Sequence, residues 1–407
     1  MERLTLDAVV SAGDIELGRG DVISTSDLAN FPGNYPVYSS SAKGNGEFGR
    51  YGRFMFDEPL ITWSVDGGGR FFFRSRHKYS VTNVCGYMRV KGGNWDQQYV
   101  YYSLDHQHGQ LSFDYQSKAH PSVIRHIYSL NLIPRLEQSQ IAEVLSTVDR
   151  AIAQTEALIA KQQRIKTGLM QDLLTRGIDE AGNLRSEATH TFKDSPLGRI
   201  PAEWDVKRVG QVFHIQLGKM LSKLSTTGRS PYPYLGNKNV QWDYVDTTDI
   251  QFMDFNENER KRFSLRYGDV LVCEGGEVGR TCLWRSEIDS CFYQKAIHRL
   301  RPKGEYLPEL FPQIMQWNVR QGLLANFTSQ TSIAHLTKEK LSDVPIAVPT
   351  VAEQKDICRL LDDMDRSIRT YSEKKLKLLH IKTGLMQGLL TGKVRVTPLL
   401  EQEKATA

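Results

Sequence analysis

The 407-residue chain has few cysteines and no Cys-x-x-Cys pair. Its five thiols (Cys85, Cys273, Cys282, Cys291 and Cys358) are odd in number, so neither a disulfide framework nor a zinc cage is indicated. They read as reduced cysteines of a cytoplasmic protein. No apolar stretch approaches the roughly 18 uninterrupted residues of a membrane span, and nothing near Met1 combines a basic start with an apolar run. The expectation is a chain neither exported nor embedded in a membrane. No Gly-x-x-x-x-Gly-Lys-[Ser/Thr] occurs, which excludes a P-loop ATPase. None of the fifteen prolines adjoins another, which removes the Asp/Asn-Pro-Pro-aromatic loop expected of an amino-methyltransferase. A large charge excess is missing too: 52 Lys and Arg against 47 Asp and Glu leave +5, so any polyanion must be met by a local patch. With 40% hydrophobic and 24% charged residues the composition is that of an ordinary globular protein, long enough for two or three domains.

What the chain has is a repeat. Ile165-Lys166-Thr167-Gly168-Leu169-Met170-Gln171 recurs as Ile381-Lys382-Thr383-Gly384-Leu385-Met386-Gln387, an offset of 216 residues. At that offset Glu137-Gln138 falls on Glu353-Gln354 and Asp149-Arg150 on Asp365-Arg366, giving 18 identities over the 41 positions from 137 to 177. One residue of slippage extends the match to Ala119-His120 with Ala334-His335 and to Pro134 with Pro349. A period this long is a duplicated half rather than a solenoid. Each half has a variable part, residues 1–134 and 195–349, followed by a shared segment.

The shared segments read as long helices. Ile141, Leu145, Val148, Ile152 and Ile357, Leu361, Met364, Ile368, Tyr371 follow the a/d spacing of a coiled coil. Prolines stand just ahead, and Glu137 and Glu353 put negative charge in the first turn. Strict register is lost near Lys161 and Lys377 and resumes at Ile165, Leu169, Leu173 and at Ile381, Leu385, Leu389, as a stutter would do. About 40 residues make a rod of roughly 60 Å. A single amphipathic stripe is usually ordinary core, but two equivalent rods in one chain are each the simplest partner for the other. The expected architecture is therefore α+β: two mixed domains separated by two long helices that form an antiparallel coiled coil, with an internal pseudo-twofold repeat.

Both variable parts look mixed α and β, with short apolar runs punctuated by Gly and Pro at residues 54–63 and 268–273. Gly44 to Gly49 formally reads Gly-x-Gly-x-x-Gly, but its serine-rich surroundings fit a turn-rich loop better than a dinucleotide site. Glu353-Gln354-Lys355 lies at the repeated helix start, which explains it without nuclease chemistry. His120 and His335 are paired across the duplication, and each is either structural or a ligand contact. Basic residues cluster with aromatics from Arg70 to Lys78, with no acid among them, and again around Arg260-Lys261-Arg262 and from Lys295 to Lys303. Any one run reads equally well as a solvated face; several runs in both halves fit faces that follow a phosphate backbone. Polar loops at residues 39–45 and 236–239 carry side chains that bond base edges.

The layout resembles the specificity (S) subunit of type I restriction-modification systems. The residues that carry the resemblance are Pro349 to Gln354, Ile165 to Thr175, Ile381 to Thr391, Ile200-Pro201-Ala202-Glu203-Trp204, Tyr267 to Leu271 and Gly275 to Arg280. It departs from that pattern in lacking an Ile-Pro-x-x-Trp start before the first domain. The resemblance implies target recognition domains at 1–134 and 195–349, conserved helices at 135–176 and 350–393, a linker at 177–194 and a tail at 394–407. It also implies a subunit without catalysis or cofactor, which binds double-stranded DNA and reads a split, asymmetric target. Two methylation subunits using S-adenosylmethionine would dock on the helices, and two restriction subunits using ATP and Mg would join through them. Candidate DNA contacts are Ser40, Ser41, Lys43, Asn45, Arg70, Arg74, Arg76, Lys78 and His120 in the first domain. In the second they are Lys219, Asn237, Lys238, Asn239, Arg280, Lys295, His298, Ser332 and His335. Candidate partner or coiled-coil positions are Glu137, Gln138, Ile141, Leu145, Ile152, Leu169 and Met170, then Glu353, Gln354, Ile357, Leu361, Ile368, Leu385 and Met386. A similar recognition module in another phage-defence assembly, a coiled-coil scaffold without sequence-specific binding, and a cryptic enzyme built on the paired histidines stay open as alternatives.

Overall fold

The computed structural model of the chain describes residues 2–40, 44–66, 69–111, 119–222, 225–327 and 335–396. The chain divides into two compact units, Met1–Leu158 with Tyr371–Ala407 (unit 1) and Ile159–Thr370 (unit 2). Each unit therefore holds one variable part and a piece of each long helix.

Unit 1 contains β1 (Glu2–Thr5), α1 (Leu6–Ser11), β2 (Ile15–Arg19), α2 (Thr25–Asn30), β3 (Tyr35–Tyr38), β4 (Glu47–Tyr51) and β5 (Phe56–Asp57). Then come β6 (Leu60–Ser64), β7 (Phe71–Arg74), β8 (Lys78–Val81), β9 (Cys85–Val90), α3 (Gln97–His108), α4 (Pro121–Ile127), β10 (Ser129–Leu132) and the start of α5 (Arg135–Thr175). The strands form two sheets, β2-β9-β6-β7 and β4-β3-β8-β5, with β1 paired to β10. Leu60-Ile61-Thr62-Trp63-Ser64 is buried throughout, the mark of a central strand, whereas edge strand β4 is mostly open to solvent. The core gathers Trp63, Phe71, Met88 and Tyr99 with Ile141 and Leu145 of α5 and with Met386, Leu389 and Leu390.

Unit 2 contains β11 (Phe192–Ser195), β12 (Gly198–Pro201), β13 (Asp205–Arg208), α6 (Val209–Val212), β14 (Phe213–Leu217), β15 (Pro231–Leu235), β16 (Gln251–Asp254), α7 (Glu257–Phe263) and β17 (Val270–Cys273). It continues through β18 (Thr281–Leu283), β19 (Phe292–Tyr293), β20 (Ile297–Pro302), α8 (Leu310–Arg320), α9 (Lys338–Asp343), β21 (Pro345–Val348) and the start of α10 (Val351–Leu389). Its sheets are β14-β20-β17-β18 and β16-β15-β19. That is the strand order of unit 1 without a counterpart of β5. The central strand of the second sheet pairs antiparallel with one neighbour and parallel with the other in both units, β3 with β4 and β8, β15 with β16 and β19. Matching backbone bonds fix the correspondence: Thr82 N donates to Tyr38 O and Gln294 N to Leu235 O, while Gly20 N donates to Cys85 O and Gly218 N to Ile297 O. Gly20 and Gly218 are required there, because a Cβ would overlap the carbonyls of Val81 and Gln294. The variable parts thus share a fold that no constant sequence offset reveals.

Both long helices end at glycines in the left-handed region, Gly177 (φ 63) and Gly392 (φ 75). In unit 1, Lys375 bonds Glu156 and Lys382 bonds Asp149, each at 2.8 Å, so numbering rises along α10 as it falls along α5. The two segments are antiparallel there. In unit 2, Lys166 meets Asp365 at 2.6 Å, while Met170 and Leu173 pack in one core with Ile357 and Leu361. The second apolar stripe is displaced from the expected one: Ile165 and Ile381 are 45% and 51% exposed, and the inward residues are Lys166, Met170 and Leu173 in one copy, Lys382, Met386 and Leu389 in the other. Leu169 and Leu385 are half-buried beside them. Lysine can face inward because an aspartate on the other helix segment neutralises it.

The four polar residues among the partner or coiled-coil candidates make their bonds within their own unit. Gln138 accepts from Asp96 N and donates to Ile133 O, both at 2.8 Å. Gln354 does the same with Leu307 N (2.8 Å) and Pro349 O (2.9 Å). Buried Glu353 takes bonds from Trp204 Nε1 and Ile178 N, each at 2.9 Å, and from Arg185. Glu137 is paired with Arg395 at 2.6 Å. Each of these four ties a helix start to neighbouring segments of its unit. Ile141, Leu145, Ile357 and Leu361 are core, Ile152 is at its margin and Ile368 is half-buried. The 177–194 stretch, read as a linker, is packed at its start, with Ile178 and Arg185 buried.

Candidate nucleic-acid interface

In unit 1 the turn before β8 and β8 itself present Arg76 and Lys78 to solvent. Lys78 Nζ lies 4.7 Å from the Phe54 ring centre and 5.9 Å from that of Tyr35, and the two rings meet edge-on at 5.2 Å. The Arg53 guanidinium covers Phe31 at 3.7 Å, and Phe31 in turn meets Tyr51 at 6.2 Å. Tyr51 is the strand partner of Tyr35, so these groups form one surface of cations lying on rings. Such a surface can take phosphates on its charges and stack bases or sugars on its rings. Arg76 sits 3.8 Å from Asp57 at the margin, and Arg70 is exposed, 5.2 Å over Phe72.

Arg74 is different. Its Nε donates to Thr62 at 2.9 Å, its guanidinium lies 3.6 Å over Tyr38, and it is buried. Burial pulls the Arg74 pKa down and pushes that of Tyr38 up. It braces the two sheets, which corrects its reading as a surface contact. Ser40 O accepts from Ser64 Oγ at 2.6 Å, and Asn45 Oδ1 accepts from Glu47 N at 3.0 Å, so both shape the loop beside this surface. His120 is the N-cap of α4 and accepts from Ser122 N at 3.3 Å, an exposed structural role. Ser41, Lys43 and Ser332 lie outside the described residues.

In unit 2 the Asn237 side chain donates to Gly275 O at 2.7 Å and Arg280 donates to the Asn237 carbonyl at 2.7 Å. The polar loop and the glycine turn, distant in sequence, are therefore one cluster. Lys238, exposed, is paired with Asp249. Asn239 is buried, accepting from Gly236 N at 2.8 Å and donating to Asp246 O at 2.9 Å, and so braces the loop instead of facing a ligand. Lys219 is engaged by Glu259 at 2.6 Å; its carbonyl accepts from Lys295 N at 2.8 Å, and the Lys295 side chain is exposed. His335 is exposed. His298 is fully buried, its Nε2 bonded to Leu336 O at 2.8 Å, and burial lowers its pKa. A neutral core histidine cannot follow a phosphate backbone, so that expectation is corrected.

Some residues were not anticipated. Arg53, Phe31 and Phe54 join the unit 1 surface, and in unit 2 Phe252 stands 61% exposed on edge strand β16, while Arg260, from the basic run read in the sequence, lies 5.3 Å over Tyr232. The signal for them was Tyr35-Pro36 and Tyr232-Pro233, a Tyr-Pro pair at matching places on β3 and β15, each tyrosine met by a cation. All five cysteines are buried and unpaired. Burial pushes the Cys273 thiol up to about 11 and those of Cys85, Cys291 and Cys358 to about 12, leaving no reactive thiolate among these four. Among the described residues no three His, Cys, Asp or Glu side chains could together hold a metal ion, and no helix is long and apolar enough to cross a membrane.

The family model described as the type I restriction modification DNA specificity domain matches residues 8–163 and again 201–380. Over 354 residues the chain is 26% identical to the type I restriction enzyme MjaVIII specificity subunit of Methanocaldococcus jannaschii, covering 84% of this chain and 80% of that protein. Its fold is similar to the crystal structure of a type I restriction-modification system S subunit from M. genitalium, with a TM-score of 0.62 at 16% identity and 96% of each chain covered. It is also similar to a chain from a structure of complex assembly and conformational transition of the type I R-M system, with a TM-score of 0.52, 14% identity, and 93% of this chain and 97% of that one covered.

Proposed function

The chain belongs to the type I restriction-modification DNA specificity family, and from that premise we propose that it is the non-catalytic, sequence-reading subunit of a type I restriction-modification complex in the cytoplasm. One observation carries the reading. The same strand order occurs twice, each copy mounted by the glutamine at a repeated helix start, yet the cations and rings on the matching sheets differ, Lys78 over Tyr35 and Phe54 in one and Arg260 over Tyr232 in the other. A duplicated frame with different faces suits two readers of different short sequences, each taking one half of a split asymmetric target. Lys78 and Arg53 in the first domain and Lys295 in the second supply charge for phosphates, which position without specifying. Asn237 and the neighbouring polar loops supply groups for base edges.

The duplicated helix segments give two copies of one docking surface, fitting two methylation subunits related by a pseudo-twofold axis. The restriction subunits join through those. S-adenosylmethionine, ATP and Mg belong to the partners. In this reading the helices, packed as an antiparallel coiled coil, also set the spacing between half-sites.

Co-expression with a cognate methylation subunit, followed by mapping of adenine methylation in the host genome, tests the proposal. Methylation at one split motif, lost when this chain is deleted, is the expected result. A stable complex without any motif dependent on the chain would overturn it.

A further inference from the structure

Three kinds of position recur together in both units. Asp149 of α5 and Asp365 of α10 are equivalent in the repeat, as are Lys382 of α10 and Lys166 of α5. In unit 1 Lys382 bonds Asp149 at 2.8 Å, and the Tyr102 hydroxyl of α3 donates to the same carboxylate at 2.7 Å. The ammonium also lies 5.6 Å from the Tyr102 ring centre. In unit 2 Lys166 bonds Asp365 at 2.6 Å, and Gln313 of α8 donates to that carboxylate at 3.3 Å. Tyr102 and Gln313 are themselves equivalent: each stands six residues after the backbone amide, Asp96 or Leu307, that the helix glutamine accepts from. Unit 2 adds Asp243, 3.6 Å from Lys166, on a loop residue held at φ 70.

Each cluster thus joins three parts at one carboxylate: a segment of α5, a segment of α10 and the domain's own helix. The lysine is nearly out of solvent in unit 2, with its side chain 8% exposed, and 18% exposed in unit 1. A buried lysine has little freedom to follow a slipped neighbour. Moving either helix segment by a turn would separate it from its aspartate and leave charge stranded. An apolar contact, by contrast, re-forms after a slide.

We propose that Lys382-Asp149-Tyr102 and Lys166-Asp365-Gln313 are positioning residues that fix the register at which each recognition domain is mounted on its helix pair, and thereby the half-site spacing the subunit accepts. This rests on the DNA-reading function proposed above. The role needs a charged pair whose lysine is largely withdrawn from water, not merely a filled space, and that separates it from general packing.

The test uses the complex of the full chain with its methylation subunits and a set of duplexes in which two half-sites are held constant while the spacer varies one base pair at a time. The wild-type complex selects one spacer length. Lys166→Met and Lys382→Met, which keep volume but drop the charge, lower the discrimination between the preferred spacer and its neighbours by about tenfold, the scale of a coupling between contacting groups. Affinity for each half-site alone stays unchanged, which shows the domains intact. Lys166→Arg and Lys382→Arg restore the selectivity. Tyr102→Phe, which removes only one hydroxyl, gives a partial loss and serves if the methionine variants do not fold. Spacer selectivity within twofold of wild type in the methionine variants and in Tyr102→Phe would overturn the inference while leaving the DNA-reading function standing. A wild-type complex with no spacer preference at all would overturn both.

Discussion

Glu353 and Glu137 occupy the same place in the duplicated helices and live in different surroundings. Glu353 is held by Arg185, Trp204 and the Ile178 amide, and the Arg185 side chain is itself only 7% exposed. Glu137 is held by Arg395, whose side chain is 52% exposed, with two bonds of 2.6 Å. In both units the arginine comes from the segment that follows a long helix. The duplication therefore preserved a geometry, the return of a tail onto a helix start, while the depth of burial diverged. Depth decides the energy, because an exposed arginine that loses its partner is taken up by water and a buried one is not.

The largest expected effect follows. Glu353→Ala leaves the buried Arg185 with only the exposed Glu203, 3.3 Å away, beside an unpaired indole N–H and a backbone amide, and destabilises unit 2 by about 3 kcal/mol. Glu137→Ala lets the exposed Arg395 rehydrate and costs clearly less. Urea titrations of the two variants measure both, and equal losses would remove burial as the distinction between the units. Next comes a pair for which the units are expected to agree. Gly20→Ala and Gly218→Ala push a methyl group into carbonyls at matching strand crossings, at a cost of about 1–3 kcal/mol each. A large shift for one and none for the other would show that the shared sheet order hides a different crossing.

The sequence made the helices legible because their repeat is exact over seven residues and apolar at helical spacing. It misplaced the inward face beyond Lys161 because lysine is by default assigned to solvent. The correction was present in the repeat: Lys166 and Lys382, Asp149 and Asp365 all recur, and an acid and a base repeated together point to a bond between them. The domains were legible only as mixed. Their strands run from two to six residues, too short for periodicity to speak, and the offset between corresponding strands drifts because loops differ in length. Charge marked Lys78 and Lys295 as exposed, as they are, and also marked Arg74 and His298, because composition cannot tell a cation over a surface ring from one over a core ring, nor a solvated histidine from a buried one. Phe31 and Arg53 escaped notice since only the fold brings them together.

The two domain surfaces are expected to act separately. Arg53→Ala with Lys78→Ala lowers affinity for one half-site and reduces the slope of log affinity against log salt by about 2, near 0.9 for each phosphate that is no longer neutralised. Lys295→Ala lowers the slope by about 1 for the other half-site alone. Titrations of single half-site duplexes over a range of salt read both. A loss at both half-sites from either set would contradict two independent readers.

The smallest effect concerns a likeness between the units. Gly168 and Gly384 lie in mid-helix at equivalent repeat positions, and a Cβ at either meets nothing within 4 Å. Glycine inside a helix costs about 0.8–1.0 kcal/mol relative to alanine. Neither the fold of unit 1 nor that of unit 2 has a use for it, so Gly168→Ala and Gly384→Ala should each stabilise the isolated chain by up to about 1 kcal/mol, read as a rise in the thermal midpoint. A glycine kept twice against helix propensity, on an open face, is what close approach of a partner backbone would require. The same substitutions should therefore weaken binding of a methylation subunit, measured by calorimetry. Stabilisation without any loss of binding would place the docking surface elsewhere on the repeated helices, while loss at one site and not at the other would show that the two copies are no longer equivalent.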